Sequence, residues 1–303
     1  MAVRYGIVAV RFGHTAWVNT ESSRAERALR AVAARSSGGP VDAGLRITLN
    51  FHPDRFAGDR PILESMLDDG VYHSQFATGT TNGGATAFPG GDRWQWESRM
   101  FAAAYDDAAP HERPVYGALN VRRDPVGAAP RFGSAHFRLT AATLSRATFC
   151  FPDSHLEPAA AGVAHRMAAV HAAHDADRGG SEPLNDYIEA QVHGPLRLDT
   201  DVEAVVLDPC YRGTPVETRA LRFPFPVEWH GGFRLTVDEL RRYPNYRGRT
   251  YMDAAAAIAG TGVLDPWGIG TAARAGSYDG PTIKKVWHYL ACFGSPTEPV
   301  VCG

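Results

Sequence analysis

The chain has 303 residues, 44% hydrophobic and 21% charged, with a formal net charge of −2. A chain of this length buries roughly three-quarters of its unfolded surface, so folding needs neither disulfides nor metals, and the composition excludes global disorder and a coiled coil. The near-neutral charge excludes a global attraction to nucleic acid or an anionic membrane, and no run approaches the roughly 20 apolar residues of a membrane span.

Two of the 31 basic residues are lysines, Lys284 and Lys285. With the Ala-rich runs, this arginine usage reads as a GC-rich coding bias, so a single arginine carries little functional weight. Met1 to Thr20 alternates apolar and polar residues, and Arg11 interrupts it before a signal-peptide core forms, so it reads as a strand. Thr20 to Arg35 reads as a helix, with Ser23 and Glu26 at capping-box spacing. Arg46 to Phe51 is a strand that turns Ile47, Leu49 and Phe51 to one face and Thr48, Asn50 and His52 to the other. Pro61 to Asp69 is a short helix closed by Gly70, and Val71 to Ala77 reads as a second strand. A glycine-rich loop follows from Gly79 to Gly91, then a helix from Asp92 to about Tyr105.

Strands are expected at Val115–Leu119, Ala135–Leu139 and Arg146–Phe151, and an Ala-rich helix at Pro158–His174, with His165, His171 and His174 on a solvated face. Arg178 to Pro183 reads as a break. Asp186 to Val206 carries the strongest β signal, and helices follow near Thr236–Arg242, Tyr251–Ala259 and Thr282–Phe293. Strands in the middle and helices at both ends indicate an α+β fold. The division expected is a strand–helix extension over 1–39, a catalytic domain over 40–230 and a helical region over 231–303 packed on it. Cys150, Cys210, Cys292 and Cys302 show no CxxC spacing and read as reduced thiols of a cytoplasmic protein.

The octet Tyr187-Ile188-Glu189-Ala190-Gln191-Val192-His193-Gly194 is the most informative stretch. In a strand, Ile188, Ala190 and Val192 suit a core, while Tyr187, Glu189, Gln191 and His193 share the opposite face about 7 Å apart. A solvated face gives the same alternation, but a carboxylate, a carboxamide and an imidazole in line also suit a catalytic site. His52 ends its strand where Pro53 stops the ladder. The loop after Ser74 lets backbone N–H groups approach a ligand, yet holds neither GxxxxGK[ST] nor GxGxxG. Tyr116 and Arg131 put an aromatic and an arginine on short connections.

NFHPDR (Asn50–Arg55), SQFATGTTNGG (Ser74–Gly84), YGALN (Tyr116–Asn120), PRFGS (Pro130–Ser134), EAQVHG (Glu189–Gly194) and VLDP (Val206–Pro209), in this order, resemble an uncharacterised bacterial family of unknown function. More remotely, the chain resembles the His-type ADP-ribosyltransferases, through His52 ending the first strand, Tyr72–Ser74 after a helix, and Glu189 with Gln191 on a late strand. It departs from their pattern in having E-x-Q for the usual Q-x-E, and Ser74-Gln75-Phe76 where a Ser-Thr-Ser triplet stands.

That resemblance implies a split β-sheet core with helical additions, NAD as co-substrate, and transfer of ADP-ribose to an acceptor. The acceptor is left open between protein, nucleic acid and small molecule. Glu189 would stabilise the ribose cation, with Gln191 or His193 facing the acceptor. His52 would hold a ribose hydroxyl, Ser74 would position the ribose or Glu189, and Asn50 would also bind the cofactor; Tyr72 or Tyr116 would stack on nicotinamide, and Arg131 would meet the pyrophosphate. These roles require the side chains of His52, Ser74 and Glu189 to converge on one cleft. Two other readings are carried: a metal-dependent hydrolase or lyase with His52, Asp54, His155 and His193 as ligands, and a binding module without catalysis.

Overall fold

The computed structural model describes residues 22–79, 86–177, 180 and 182–295. The strand expected over 1–20 lies outside the described residues, as do most of the Gly79–Gly91 loop's glycine-rich half and the last residues of the tail.

An eight-stranded mixed sheet organises the chain. Its strands are β1 (Ile47–Phe51), β2 (Val115–Leu119), β3 (Ala135–Leu139), β4 (Ala147–Phe151), β5 (Ala160–Val163), β6 (Ile188–Val192), β7 (Val202–Leu207) and β8 (Val227–Trp229). Their spatial order is β8-β7-β3-β1-β2-β6-β4-β5. Neighbours are antiparallel except β7 and β8, which pair in parallel at one edge. The fold is therefore α+β, as the distribution of strands and helices indicated.

Strict alternation gives this sheet two chemically different faces. The rows Ile47–Leu119–Ile188 and Leu49–Phe137–Val205 form an apolar face. Against it pack Leu63 of α2 (Ile62–Asp69), Met167 and Val170 beside the β4–β5 end, and Val216 and Ala220 of the helix Pro215–Ala220. Fully burying a side chain such as Ile47 or Leu49 contributes about 1.5–3 kcal/mol, and this face holds the largest core cluster.

The opposite face is polar. Thr48, Ala118, Glu189 and Cys150 stand side by side across four strands, and Tyr116, Gln191 and Thr148 form the next row. Helix α3 (Asp92–Met100) covers these rows, and α1 (Arg24–Ala33) packs beside it on β4 and β5 through Ala28 and Val32. The capping box of α1 forms as its sequence indicated, Ser23 Oγ accepting from the Glu26 N–H at 3.2 Å. In the middle of the same face, Ala128 N–H donates to Thr48 Oγ1 at 2.9 Å and Asn50 Nδ2 donates to the Val126 carbonyl at 2.9 Å. Gly127 permits this close approach: its φ is +85°, and a Cβ there would lie 2.6 Å from Asn50 Oδ1.

Residues 233–290 keep a core of their own around Phe233, Leu240, Ile269 and Trp287. Its longest helix is Gly280–Phe293, and Trp287 Nε1 ties it to the sheet's polar side by donating to the carbonyls of Pro130 (2.9 Å) and Arg131 (3.1 Å). The helix Pro266–Arg274 was not foreseen.

Three expected elements differ. Val71–Ala77 is a strand only at Val71–Tyr72, after which Ser74 caps a single helical turn, Gln75–Thr78. Pro158–His174 is not one helix: β5 occupies Ala160–Val163 and a helix begins only at Ala168. His174 on that helix is buried, not solvated, and its Nε2 lies 2.9 Å from Asp186. Asp186–Val206 divides into β6, a two-residue strand, one helical turn and the start of β7.

Candidate functional site

The polar side chains of β6 are buried, which settles which alternation the octet represents. Glu189 is 6% exposed, Gln191 0% and His193 1%. They belong to one directed hydrogen-bond chain. Thr148 Oγ1 donates its only proton to Gln191 Oε1 (2.7 Å), so at 3.0 Å it must accept from His193 Nε2–H. That tautomer leaves His193 Nδ1 to accept from the Tyr105 hydroxyl at 2.9 Å. The Gln191 amide is thereby oriented with its NH2 toward Glu189, Nε2 to Oε1 being 2.9 Å.

The other hydrogen-bond partners of the Glu189 carboxyl also present protons. Ser154 Oγ donates to Oε2 at 3.0 Å and the Cys150 thiol faces Oε1 at 3.8 Å. Arg93 lies 3.9 Å from Oε1 and donates to Ser154 Oγ at 2.5 Å. Burial, and after it Asp153, push the Glu189 carboxyl above its ordinary value against the pull of Arg93, Ser154 and Gln191. Burial, and then Glu189, push the Cys150 thiol well up, so it stays protonated and serves as a donor, not a nucleophile. Burial lowers His193 to about 3, with Arg146 acting the same way, and keeps it neutral.

Arg93 and Glu97 sit one turn apart on α3 and both face the sheet. The Arg93 guanidinium lies 4.1 Å above the Tyr116 ring, and the Tyr116 hydroxyl donates to Glu97 Oε1 at 2.9 Å. Arg113 donates to Glu97 Oε2 at 2.6 Å and to the Tyr105 carbonyl at 2.7 Å. Burial pushes Glu97 up to about 7 against the pull of Arg113, Tyr116 and Arg93. From Glu189 the polar line continues outward. Asp153 bears electrostatically on Glu189 and accepts from the Tyr187 hydroxyl at 2.6 Å, and Arg131 bears on Tyr187.

The structure thus brings together Glu189, Gln191, His193 and Tyr116, whereas Arg131 bonds Asn185. It does not bring His52 or Ser74 to Glu189. Thr48, not His52, shares the row of Glu189, and His52 stands four residues further, about 13 Å of strand. His52 packs edge-on against Trp287, ring centroids 4.8 Å apart, beside His288. Burial, with Arg55 and His288, holds it well below the ordinary histidine value. Ser74 donates to the Pro110 carbonyl at 2.6 Å and caps Gln75–Thr78. Asn50 is committed to the 126–133 backbone, and Tyr72 packs against Phe137 on the apolar side, burial raising its pKa to about 12.

The four residues considered as metal ligands are dispersed. Asp54 is 2.8 Å from Arg274 Nη1, His193 is enclosed by Tyr105 and Thr148, and His155 is exposed on a turn. Among the described residues, no three His, Cys, Asp or Glu side chains are grouped to hold a metal ion. The three described cysteines, Cys150, Cys210 and Cys292, are free thiols. No helix among the described residues is long and apolar enough to cross a membrane.

Sequence reasoning missed Arg93, Glu97, Arg113 and Thr148 as members of the site. Ser154, between Asp153 and His155 in the sequence, donates instead to Glu189 across the sheet.

An α+β chain with a buried, donor-ringed carboxylate on the polar face of its sheet is the class these observations define. The chain belongs to the family described as "Protein of unknown function (DUF3626)", whose profile matches residues 46–176 and 172–285. No curated protein matches it.

Proposed function

We propose that the chain is an NAD-dependent ADP-ribosyltransferase acting through Glu189. The observation that carries this reading is the environment of that carboxylate. Its hydrogen-bond partners, Gln191, Ser154 and Cys150, are all donors, and Arg93 at 3.9 Å also favours its ionised form, against burial and the Asp153 charge.

Breaking the nicotinamide–ribose bond releases neutral nicotinamide and leaves positive charge on the ribose, as in glycoside cleavage. A fixed carboxylate that needs no reorganisation stabilises that charge as it develops. The acceptor's lone pair then forms the new bond to the ribose C1′, and its proton leaves to solvent or base. In this reading Tyr116, on the polar face, would stack on nicotinamide, and Arg131 would meet the pyrophosphate. The split-sheet architecture of that superfamily remains part of the proposal. His52 and Ser74 lie outside the proposed reacting centre. Their distance from Glu189 moves the ribose contacts to groups around Ser154 and Arg93.

The test is nicotinamide release from NAD by the full chain and by Glu189→Gln, with far-UV circular dichroism to show that both fold. Loss of one such electrostatic stabiliser lowers the rate by about 10²–10³. Equal rates in the two proteins, or no release and no thermal stabilisation by NAD in the parent chain, reject the reading.

A further inference from the structure

A cavity of about 260 Å³ opens where the end of α1, the end of α3 and the turn before β5 meet. The buried Trp96 and Met100 of α3 and Ala161 of β5 line it, together with the exposed Arg35, Arg99 and Glu157. Strand register places it beside the polar face. Ala161 pairs with Cys150 and Cys150 with Glu189, so Ala161 stands two strands, about 10 Å, from that carboxylate. Trp96 lies between the cavity and Tyr116, the two ring centroids being 6.1 Å apart.

The two arginines of the cavity are held differently. Arg35 donates to the Met100 carbonyl at the end of α3 (2.6 Å) and touches the Met100 sulfur, and both partners are neutral. Burial lowers its pKa with no acid to oppose the effect. Arg99 pairs with Glu157 at 2.6 Å, but both side chains are more than half exposed, and such pairs contribute little. Glu157 holds a φ of +50°. That conformation is costly for a residue with a side chain, persists only where the surroundings maintain it, and concentrates at ligand-binding segments. The same turn carries Ser154, the donor to Glu189.

We propose that this cavity binds a small molecule bearing an aromatic ring system and one anionic group. The ring leaves water to pack on Trp96, Met100 and Ala161. The anion meets Arg35, whose guanidinium fork suits a carboxylate or a phosphate, and supplies the charge that its neutral partners lack. Arg99 turns from Glu157 to join it. Pockets for drug-sized ligands measure roughly 300–1,000 Å³, so this smaller one fits one ring system with its anion and not a dinucleotide. The site is therefore separate from the NAD reading and needs nothing from it.

The experiment is calorimetric titration of the full chain with AMP and with indole-3-carboxylate. Adenosine and indole present the same rings without the anion, and acetate presents an anion without a ring. Saturable binding is expected from AMP, indole-3-carboxylate or both, with the controls weaker by about tenfold or more. Tighter AMP assigns a nucleotide, and tighter indole-3-carboxylate assigns an aromatic acid. Arg35→Gln should weaken binding by about tenfold or more, the effect of losing a charged hydrogen-bond donor. Ala159 lines the cavity at an exposed position, so Ala159→Trp should fill it and abolish binding while leaving the core intact. No saturable binding, controls that bind as tightly as the anions, or parental affinity in either variant with an unchanged circular dichroism spectrum overturns the proposal. Nicotinamide release without such binding rejects this site and leaves the NAD reading standing, and binding without release does the reverse.

Discussion

Gln191 Nε2 lies 2.9 Å from Glu189 Oε1, two residues along the same strand, and its orientation is dictated by Thr148 on the neighbouring strand. The amide oxygen is taken by the Thr148 hydroxyl, so the NH2 can only face the carboxylate. His193 and Tyr105 fix Thr148 in turn. The E-x-Q order of the sequence is therefore a structural arrangement, in which the glutamine supplies a donor to the acid and Cys150 and Ser154 complete the ring.

Gln191→Glu would replace that donor with a second buried carboxylate. Two adjacent carboxylates cannot both ionise in such a site, so one pKa rises strongly. The variant should lose about 2–4 kcal/mol at pH 8 through an unpaired buried charge, and less at pH 5, where the added acid is protonated. Urea unfolding at the two pH values checks this. Equal losses at both would show that charge is not the cause.

Arg93 bears on two buried acids, Glu189 and Glu97, and also stacks on Tyr116. Burial opposes its charge, but Tyr116, Glu189 and Glu97 outweigh that and hold its pKa above the ordinary value. Arg93→Ala should cost about 3–5 kcal/mol, the usual loss when one partner of a buried pair is removed. Arg93→Lys should recover only part of it, since an ammonium loses the planar stack on Tyr116. Chemical denaturation of the three proteins reads both values.

His193 is held near 3 when folded and titrates near 6.5 when unfolded. Between these values the unfolded chain binds the extra proton, so the stability that His193 contributes is complete above pH 6.5 and is lost as pH falls toward 3. Glu97, raised to about 7, works the other way: between about 4.5 and 7 its contribution falls as pH rises. His193→Gln removes only the first effect. Its deficit relative to the parent should shrink as pH drops from 7 to 4, and denaturant midpoints at each pH measure it. A constant deficit would mean that His193 is not kept neutral.

Period-two patterning made β6 and its two faces legible, because each of Glu189, Gln191 and His193 has an apolar neighbour pointing the other way. β1, with Ile47, Leu49 and Phe51 against Thr48 and Asn50, was legible for the same reason. Val71–Ala77 misled because Ser74 and Gly79 act as caps: Ser74 Oγ accepts from the Ala77 N–H, and Gly79 takes a φ of +65°. The alanines of 159–161 favour a helix by propensity, but pairing of Ala160–Val163 with Thr148–Phe151 overrides it. Arg93 and Arg113 were not legible, since nothing local separates a buried arginine from the many exposed ones. Only the carboxylates they meet in space, Glu189 and Glu97, single them out.

Ser74 offers the sharpest contrast between the sequence pattern and the geometry. The resemblance gave it a ribose or carboxylate to position, whereas its hydroxyl donates to the Pro110 carbonyl and its oxygen accepts the Ala77 N–H. Ser74→Ala should therefore cost about 0.5–2 kcal/mol, the range for losing a cap. Nicotinamide release per folded molecule should stay within about twofold of the parent, while Glu189→Gln loses about 10²–10³. Measuring both variants at a temperature where each is fully folded separates the effects. A Ser74→Ala rate depressed as strongly as that of Glu189→Gln would place Ser74 at the reacting centre after all, and would require the 74–79 turn to approach β6 when substrate binds.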